Sequence, residues 1–410
     1  MERLVSFFPA SGGQLSGMPR WLRATAAKAS GQQRGRRALG SSQLLLLLPC
    51  LVALLSAVGQ GPCLASANVN ITWTDVARMP YAVGETSAGI VHGSNGEPLL
   101  IVMGWNPGDP AACNATMVLD INANKWSVRA QRPLVGHHMA AVSAFNKLYL
   151  IGGYLAGTTS SIQIYDPVTD TWSQGAKLPV DYRGAAGAAV VIGDIIYYCG
   201  GVERGDTSRN GKPTNRCTRY NITANTWTTR NVMANMTHAV HHASMATDGE
   251  LVYVFGGRNS TGGTGLDPVN HTQIYNPKFN NWTSSSMPNG PLAMASGRGG
   301  MGAAVFYKDY FYVIGGEVRC GLSWYGNCPN PAHNLTSLGV FNRVDRYNHV
   351  TNTWDKGLPG MSMARHGQYP VVGPAPNSTE LVVYVCAGGE KQSFSEDTIC
   401  TYMSLQPPPP

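Results

Sequence analysis

One short pattern recurs along the chain after its first 67 residues, and this repetition constrains the fold more than any other feature. Each copy has a short apolar strand, a Gly-Gly pair, a second strand that carries an aromatic residue or Leu, and a Trp seven residues after that residue. A constant spacing across a tight turn predicts one β-hairpin repeated five times. The spaced pairs are Leu119/Trp126, Tyr165/Trp172, Tyr220/Trp227, Tyr275/Trp282 and Tyr347/Trp354. The Gly-Gly pairs begin at Gly152, Gly200, Gly256, Gly315 and Gly388, with a degenerate Met103-Gly104 before them.

This combination resembles the kelch repeat, and the resemblance covers residues 68–410. Kelch repeats imply a β-propeller in which each repeat forms a four-stranded blade. In the second blade we expect strands over 139–145, 147–151, 161–166 and 171–173. The Gly pairs let the chain leave the second strand where a side chain would collide, and the Tyr and Trp rings fill the space between blades. We therefore expect these residues to be structural.

The two ends of the repeat region predict how the ring closes. The last repeat has its Gly-Gly pair and Tyr402 in the aromatic position, but no Trp follows. Near the start, Asn70-Ile-Thr-Trp73 followed by Met79-Pro80 matches Asn281-Trp282 followed by Met287-Pro288. We predict an all-β, six-bladed propeller over residues 68–406, in which the N-terminal segment supplies the outer strand of the last blade. Closure leaves only short edges exposed. A Pro-rich end, 407–410, follows.

The first 67 residues differ in composition from the rest. They hold seven Lys and Arg residues against Glu2 alone, then an apolar run from Leu44 to Val58 and the small residues Ala65-Ser-Ala67. This order is typical of a secretory signal with its cleavage position. The alternative is an uncleaved signal-anchor, because the run could extend to Ala67. We predict a secreted or extracellular-surface protein, attached to a membrane only if the anchor is kept.

The charge of the chain lies mostly in this leader. The formal net charge is +7, and seven basic residues minus one acidic residue in the leader account for +6 of it. The remaining body carries about +1, so the sequence gives no support to nucleic-acid binding.

Secretion predicts glycan acceptors. Nine Asn-x-Ser/Thr sequons occur, where the composition gives about four by chance. We predict glycosylation sites at Asn70, Asn114, Asn221, Asn235, Asn259, Asn270, Asn281, Asn334 and Asn377.

Secretion also predicts disulfides. Cys199 and Cys217 fall at one register of two neighbouring strands, and so do Cys386 and Cys400, because one step back on a strand requires one step forward on its antiparallel partner. We predict two cross-strand disulfides that point to opposite faces of their blades. Metal binding is the alternative for the cysteines, but no Cys-x-x-Cys pair exists and an oxidising compartment favours disulfides.

We make separate predictions for the three remaining cysteines after the leader. Cys320 and Cys328 would close a small loop as a third disulfide. Cys113 is left over, which is consistent with a free thiol, an intermolecular bridge, or pairing with Cys63 if the signal is cut earlier.

Ligand-binding candidates lie where the innermost strands begin. In a four-stranded meander, the fourth-to-first and second-to-third connections emerge on one face of the propeller, which we call the long-loop face. At the channel mouth on that face the sequence places Glu85, His137-His138, Arg183, His241-His242, Arg298 and Arg365-His366. Arg offers planar paired donors for carboxylate or sulfate, so we predict an anion site that includes Arg183, Arg298, Arg365, His137 and His241. The alternative is that these side chains only bond backbone carbonyls of the next blade.

No metal or cofactor is expected at this mouth. Adjacent residues of a regular strand point to opposite faces, so a His-His pair cannot easily chelate an ion.

Family resemblance supplies the enzyme alternatives. Copper radical oxidases with kelch-type propellers need a Tyr-His dipeptide, and sialidase propellers carry Ser-x-Asp-x-Gly-x-Thr-Trp boxes; the sequence has neither. Secreted bacterial sialic-acid mutarotases are six-bladed kelch propellers that need a Glu and an Arg at the channel mouth. Glu317 and Glu390 directly follow their Gly-Gly pairs, so a sugar-modifying enzyme of that kind is the alternative. The function we predict is a non-enzymatic binding module for an anionic glycan or an extracellular protein.

Overall fold

The regular secondary structure in the described part of the chain is almost entirely β-strand, arranged as six four-stranded antiparallel sheets. The computed structural model describes residues 69–155, 160–203, 212–259, 268–318, 339–392 and 395–406. The leader, the Cys320 and Cys328 pair, Asn334 and the Pro-rich end lie outside the described residues. No helix within these ranges has the length and apolar character that crossing a bilayer requires.

Each sheet is one blade, and we name its strands A to D from the channel outwards. The chain begins with β1 (Asn70–Asp75). Blade I contains β2 (Gly84–His92), β3 (Pro98–Trp105), β4 (Thr116–Asp120) and β5 (Lys125–Arg129). Blade II contains β6 (Ala140–Ala144), β7 (Lys147–Ile151), β8 (Ile162–Asp166) and β9 (Thr171–Gln174). Blade III contains β11 (Ala188–Ile192), β12 (Ile195–Cys199), β14 (Cys217–Asn221) and β15 (Thr226–Trp227), and a small sheet pairs β10 (Gly184–Ala185) with β13 (Val202–Glu203).

The second half of the ring repeats this arrangement. Blade IV contains β16 (Ser244–Thr247), β17 (Val252–Phe255), β18 (Thr272–Asn276) and β19 (Asn281–Ser284). Blade V contains β20 (Val305–Tyr307), β21 (Tyr310–Ile314), β22 (Val344–Asn348) and β23 (Thr353–Leu358). Blade VI contains β24 (Val371–Pro374), β25 (Leu381–Cys386) and β26 (Cys400–Gln406), with β1 as its outermost strand. A short helix, Pro110–Asn114, and a 3-10 turn, Val180–Tyr182, lie in connections.

The six-bladed ring and its closure by an N-terminal strand are therefore confirmed. The predicted strands of the second blade agree with the structure within one residue at each end. The B strands are nearly continuous apolar runs because both of their faces pack against a neighbouring blade, as β7 and β21 show. The repeat Tyr on the C strands of blades II to V is fully buried, whereas most of the repeat Trp rings are half-buried.

A three-way hydrogen-bonded link explains the constant spacing of the repeat. In blade IV, Tyr275 donates from its hydroxyl to Asn280 Oδ1 at 2.8 Å, and Asn280 Oδ1 also accepts from the Ala234 backbone N–H at 2.8 Å. Trp282 donates from Nε1 to the Ala234 carbonyl at 2.9 Å. Because Asn280 has a φ of +49° in the tight turn, a short polar side chain suits this position. The link ties each blade to the D-to-A connection that precedes it.

Blades II, III and V contain the same link. Blade I keeps the Trp and Asn contacts with Leu119 in place of the Tyr. The equivalent hydrogen bonds join Tyr165 to Asp170, Tyr220 to Asn225, Tyr347 to Asn352, and Trp172, Trp227 and Trp354 to the carbonyls of Ala130, Ala176 and Leu292.

Blade VI departs from this pattern by one residue. Trp73 of β1 is paired with Met403 of β26, so Met403 and not Tyr402 stands in the position of the repeat Tyr; the prediction for Tyr402 is wrong. The cause is Ala387, which has a φ of +59° and precedes Gly388 at +88°, the place that Gly200 (+69°) and Gly201 (+97°) take in blade III. The two consecutive residues with positive φ in blade VI are thus Ala387 and Gly388, one residue before the Gly388-Gly389 pair of the sequence.

The same displacement affects the disulfides. Both predicted cross-strand bonds are present, Cys199 with Cys217 and Cys386 with Cys400, each between directly paired residues. The prediction that they point to opposite faces is wrong: Cys199 packs with residues of blade IV and Cys386 with residues of blade I, so each faces the next blade. Cys113 is a buried free cysteine.

Mass mapping under non-reducing conditions tests these two bonds. We expect peptides that contain Cys199 and Cys217 to be covalently joined, and likewise those that contain Cys386 and Cys400, because each pair is adjacent across antiparallel strands. The same digest after reduction is the control. Free thiols at all four positions in secreted protein would contradict both the pairing and the oxidising compartment.

Candidate functional site at the channel mouth

Six equivalent positions form a ring where the A strands begin, and all six have a positive φ. They are Glu85 (+47°), His138 (+58°), Ala186 (+54°), His242 (+55°), Gly300 (+69°) and Gly367 (+66°). Non-glycine residues seldom adopt this conformation, and it concentrates at functional sites when surrounding structure enforces it. The ring is therefore a place where function is expected.

Backbone hydrogen bonds run from blade to blade around this ring. Ala186 N–H donates to His138 O at 3.0 Å, His242 N–H to Ala186 O at 2.9 Å, and Gly300 N–H to His242 O at 3.0 Å. Gly367 N–H then donates to Gly300 O at 2.8 Å, and Thr86 N–H to Gly367 O at 2.7 Å. These bonds fix the positive φ values and hold the ring side chains in place.

A buried ionisable cluster lies on this ring and just above it. His138 Nε2 is 3.1 Å from Glu85 Oε2, and His366 Nε2 is 3.5 Å from Glu85 Oε1. His366 Nε2 also lies 3.7 Å from Glu317 Oε1, and Glu317 forms an ion pair with Arg258. The side chains of Arg258 and Glu85 keep only 10% of their surface exposed. We call these residues, with His242, the mouth cluster.

The charges of the mouth cluster offset one another. Burial alone would raise the pKa of Glu85, but His138 and His366 outweigh it and hold that pKa well below its usual range. Burial opposes ionisation of Glu317 as well, yet His366 and Arg258 lower its pKa. Burial would lower the pKa of His366, whereas Glu317 and Glu85 raise it to about 9. Two carboxylates thus face two cations.

The pKa of His138 moves in the opposite direction to that of His366. Burial lowers the pKa of His138, and Arg258 and His366 add to that effect against the pull of Glu85. Its ring meets that of His242 edge-on with centroids 4.7 Å apart.

The three predicted arginines do not meet at the mouth. Arg298 is fully buried and donates to Asp345 Oδ2 at 2.7 Å and to the Val313 carbonyl at 3.2 Å. Arg365 is also buried and donates to the carbonyls of Ala387 and Ile399, each at 3.3 Å. Each arginine therefore bonds to the blade that follows it in the chain, Arg298 to blade V and Arg365 to blade VI, as expected if these side chains have a structural role.

Arg183 is placed differently. It is half-buried in the connection between blades II and III, and its Nε donates to the Leu178 carbonyl at 3.2 Å. A ligand role for Arg183 stays a prediction.

The remaining candidates fall into two groups. Glu317 belongs to the mouth cluster. His137 and His241 lie next to it: His137 Nδ1 contacts His138 Nδ1, and His241 Nδ1 contacts His242 Nδ1. Glu317 pairs with Gly299, and the equivalent pair in blade VI is Gly389 with His366. The shift at Ala387 thus puts Gly389 in the position of Glu317, and Glu390, one residue later, is exposed. The equivalence of Glu390 with Glu317 is therefore wrong.

Sequence reasoning missed Arg258. It directly follows Gly256-Gly257, the position in blade IV that Glu317 has in blade V, and the mouth of a ring brings neighbouring blades together. The signal was present, since the residues that follow successive Gly pairs bear opposite charges.

Two spaces lie along the channel. A cavity of about 50 Å³ is lined by Glu85, His138, His242 and the glycines of the ring. The opposite end of the channel opens into a space of about 400 Å³ lined mainly by small apolar side chains of the A strands. The first space admits a few water-sized groups.

Comparisons with known proteins agree with this architecture. The solved structure of YjhT is similar, with a TM-score of 0.57 and 16% sequence identity over 81% of this chain and 99% of that chain. Kelch-like protein terF of Aspergillus terreus is 25% identical over 278 residues, which make up 66% of this chain and 55% of that protein. Kelch-like protein 23 of Homo sapiens is 30% identical over 208 residues, 50% of this chain and 31% of that protein. The matches thus span about half or less of the length of these two relatives.

The family comparison covers more than half of the chain. The KLHDC2/KLHL20/DRC7 Kelch-repeats domain matches residues 91–316, which run from blade I into blade V. With six blades, the repeated Tyr and Trp links and this match, the chain belongs to the kelch-repeat family.

Proposed function

We propose that this chain is a non-enzymatic binding module that acts outside the cell, as a secreted or cell-surface protein. Kelch propellers generally mediate protein–protein interaction, and membership of that family supports a protein-binding module. The basic leader with its apolar run, the nine sequons and the two disulfides support the extracellular location.

The single observation that carries the binding site is the mouth cluster on the long-loop face. Ionisable groups with shifted pKa values concentrate at functional sites, and here four charged groups converge on a channel mouth whose backbone is held by a hydrogen-bonded ring. The B-to-C connections, which run 12, 18 and 31 residues from the second Gly to the Tyr in blades II, IV and V, rise on the same face. A ligand bound there would meet the cluster.

We infer that the ligand is a segment of a protein that presents a carboxylate to Arg258. Arg258 is the guanidinium of the mouth cluster, and Arg183 lies on a connection of the same face. The nearly neutral body, at about +1, gives no general attraction for a polyanion, so an anionic glycan is the second outcome of the binding test.

A parallel screen of the purified chain against acidic peptides and acidic glycans tests this proposal. We expect Arg258→Ala to weaken binding of the selected peptide by about 1.5–3 kcal/mol, roughly 10- to 100-fold, because a charge-assisted hydrogen bond is lost. Binding of the same peptide by Arg183→Ala tests whether Arg183 also contacts the ligand. Lys278→Ala is the matched control, since Lys278 is an exposed cation in the C-to-D turn at the opposite face.

Two results would contradict the proposal. Equal binding by wild type and Arg258→Ala would remove the cluster from the site, and binding of glycans alone would replace the protein ligand by a glycan. Thermal unfolding of each variant separates a loss of binding from a loss of fold.

Glycan occupancy gives an independent check on the face. Topology places the sequons of Asn114, Asn235, Asn259 and Asn270 on the long-loop face, and those of Asn70, Asn221, Asn281 and Asn377 at the short-turn face. Asn114 and Asn221 are half-buried, whereas the other six are exposed. Ordered glycans covering the channel mouth would move the binding site to the short-turn face.

The mouth cluster also supports a second candidate, an extracellular sugar-modifying enzyme. Glu317 lies between Arg258 and His366, which keep its carboxylate ionised, so it suits the role of a base that accepts a proton from a sugar hydroxyl. If this holds, Glu317→Gln should abolish anomer interconversion of a sialic acid while preserving its affinity. Glu390→Gln is the control, because Glu390 is exposed and outside the cluster.

A further inference from the structure

Three side chains of the ring can meet at one point inside the channel. Within the described ranges, Glu85, His138 and His242 place one ligand atom each within 4.8 Å of the other two. We propose that these three residues bind a divalent transition-metal ion of the Zn²⁺ type, a role beyond the protein binding proposed for the mouth cluster to which they belong. Two imidazoles and one carboxylate are a donor set for such metals, whereas Ca²⁺ and Mg²⁺ prefer oxygen ligands alone.

Backbone conformation answers the objection that a His-His pair cannot chelate. The alternation of side chains holds for a regular strand, but His138 and His242 have φ values of +58° and +55°. Each therefore departs from the strand, and both line the small cavity on the channel axis. Blades II and IV contribute one imidazole each, and Glu85 of blade I supplies the carboxylate.

The spacing between Glu85 and His138 suits one small ion. His138 Nε2 and Glu85 Oε2 are 3.1 Å apart. Two ligand atoms that each lie about 2.1 Å from a tetrahedral zinc ion are separated by about 3.4 Å. The cavity of about 50 Å³ lined by the same three residues leaves room for the ion and a water ligand.

The outer partners of both imidazoles favour Nε2 as the ligand atom. His137 Nδ1 contacts His138 Nδ1, and His241 Nδ1 contacts His242 Nδ1. When a ring histidine donates from Nδ1 to its neighbour, its Nε2 carries the lone pair, and such a second hydrogen bond is usual for metal-bound histidine. His137 is itself held between Trp105 and Tyr154, with centroids 5.2 and 5.3 Å away.

The surrounding charges are compatible with a cation. Arg258 and His366 are the two cations of the mouth cluster, and Glu317 lies against both of them. His366 contacts the other oxygen of Glu85, so that Oε2 remains directed at His138. The ion would join three blades across the channel, and we expect it to stabilise the ring.

Metal uptake by the purified full chain tests the site, with Zn²⁺ by calorimetry and Co²⁺ by visible absorption. We expect one ion per chain and a rise in Tm with added Zn²⁺, since a ligand that binds only the folded state stabilises it. His138→Gly and His242→Gly should each weaken uptake by about 100-fold or more and remove the rise in Tm. Glycine suits the backbone here, because Gly300 and Gly367 occupy equivalent positions with the same sign of φ.

Two matched controls complete the experiment. Ala186→Gly makes the same backbone change at an equivalent position without a ligand atom, and it should leave uptake unchanged. His271→Asn removes the stacked His238–His271 pair, whose centroids are 3.8 Å apart, and should also have no effect. If either glycine variant fails to fold, Glu85→Gln keeps the side-chain shape and should still lose uptake. No uptake by the wild type at millimolar metal, or unchanged uptake in the variants that remove ligands, would overturn the proposal.

Discussion

Deletion of residues 68–79 is expected to abolish cooperative unfolding of the propeller, because the last blade would lose its outer strand. β1 contributes six directly paired residues to β26. Ile71 packs in the cluster between blades V and VI, and Val76 and Met79 pack in the cluster between blades VI and I. Burial of each such side chain contributes about 1.5–3 kcal/mol. Their combined loss, with the strand pairing, approaches the total stability of a typical domain, about 5–15 kcal/mol.

Blade VI has no alternative link to compensate for this loss. Because β26 and β1 are not consecutive strands, blade VI has no C-to-D turn and lacks the Asp or Asn that belongs to this link in blades II to V. Trp73 Nε1 is buried without a hydrogen-bond partner in the described structure, unlike the other repeat Trp residues. Strand pairing and apolar contact therefore carry the closure of the ring.

Circular dichroism during heating measures the effect. The control is a deletion of residues 407–410, which leaves β26 intact and should keep the wild-type Tm. An unchanged Tm after removal of 68–79 would mean that a different segment completes the blade.

The sequence was sufficient to predict the ring because the repeat encodes local hydrogen bonds. The Tyr, the Asn or Asp, and the Trp make the same contacts in blades II to V, so their spacing is constant. The split blade is visible in the sequence because Trp73 has no repeat Tyr seven residues before it. Ala387 was not predictable in this way. The sequence pair Gly388-Gly389 suggested the wrong register, because the first positive φ belongs to Ala387, which is not a glycine. This shift by one residue accounts for all three wrong predictions in blade VI: the position of Tyr402, the direction of the Cys386 disulfide and the equivalence of Glu390 with Glu317.

The site was only partly predictable, for a physical reason. The sequence places Arg and His residues at the start of the A strands. An arginine side chain is long enough to reach several neighbouring elements, so the carboxylate with which it pairs determines where its guanidinium lies. Arg298 has Asp345 on the C strand of blade V, so it turns into the blade. Arg258 has Glu317 in the next blade, so it stays at the mouth. These pairings are long-range in sequence and follow only from the closed ring.

The buried carboxylate of Asp345 is expected to be the most sensitive single position in the propeller. It accepts from Arg298 Nη1 at 2.7 Å and from Arg343 Nε at 2.7 Å, and all three side chains are buried. Burial lowers the pKa of Arg298, and Asp345 opposes that shift by supplying the counter-charge to the buried guanidinium. Asp345→Asn would leave two buried guanidinium groups without a counter-charge.

We expect Asp345→Asn to lower the free energy of unfolding by about 3–5 kcal/mol, the usual cost when one partner of a buried ion pair is removed. Arg298→Met should cost less, because Met fills much of the same volume and Asp345 keeps Arg343 as its partner. Urea unfolding of the wild type and both variants measures the difference. Wild-type stability in Asp345→Asn would contradict the structural role of the pair. An Arg298 variant that kept full stability but lost ligand binding would instead return Arg298 to the anion site that the sequence suggested.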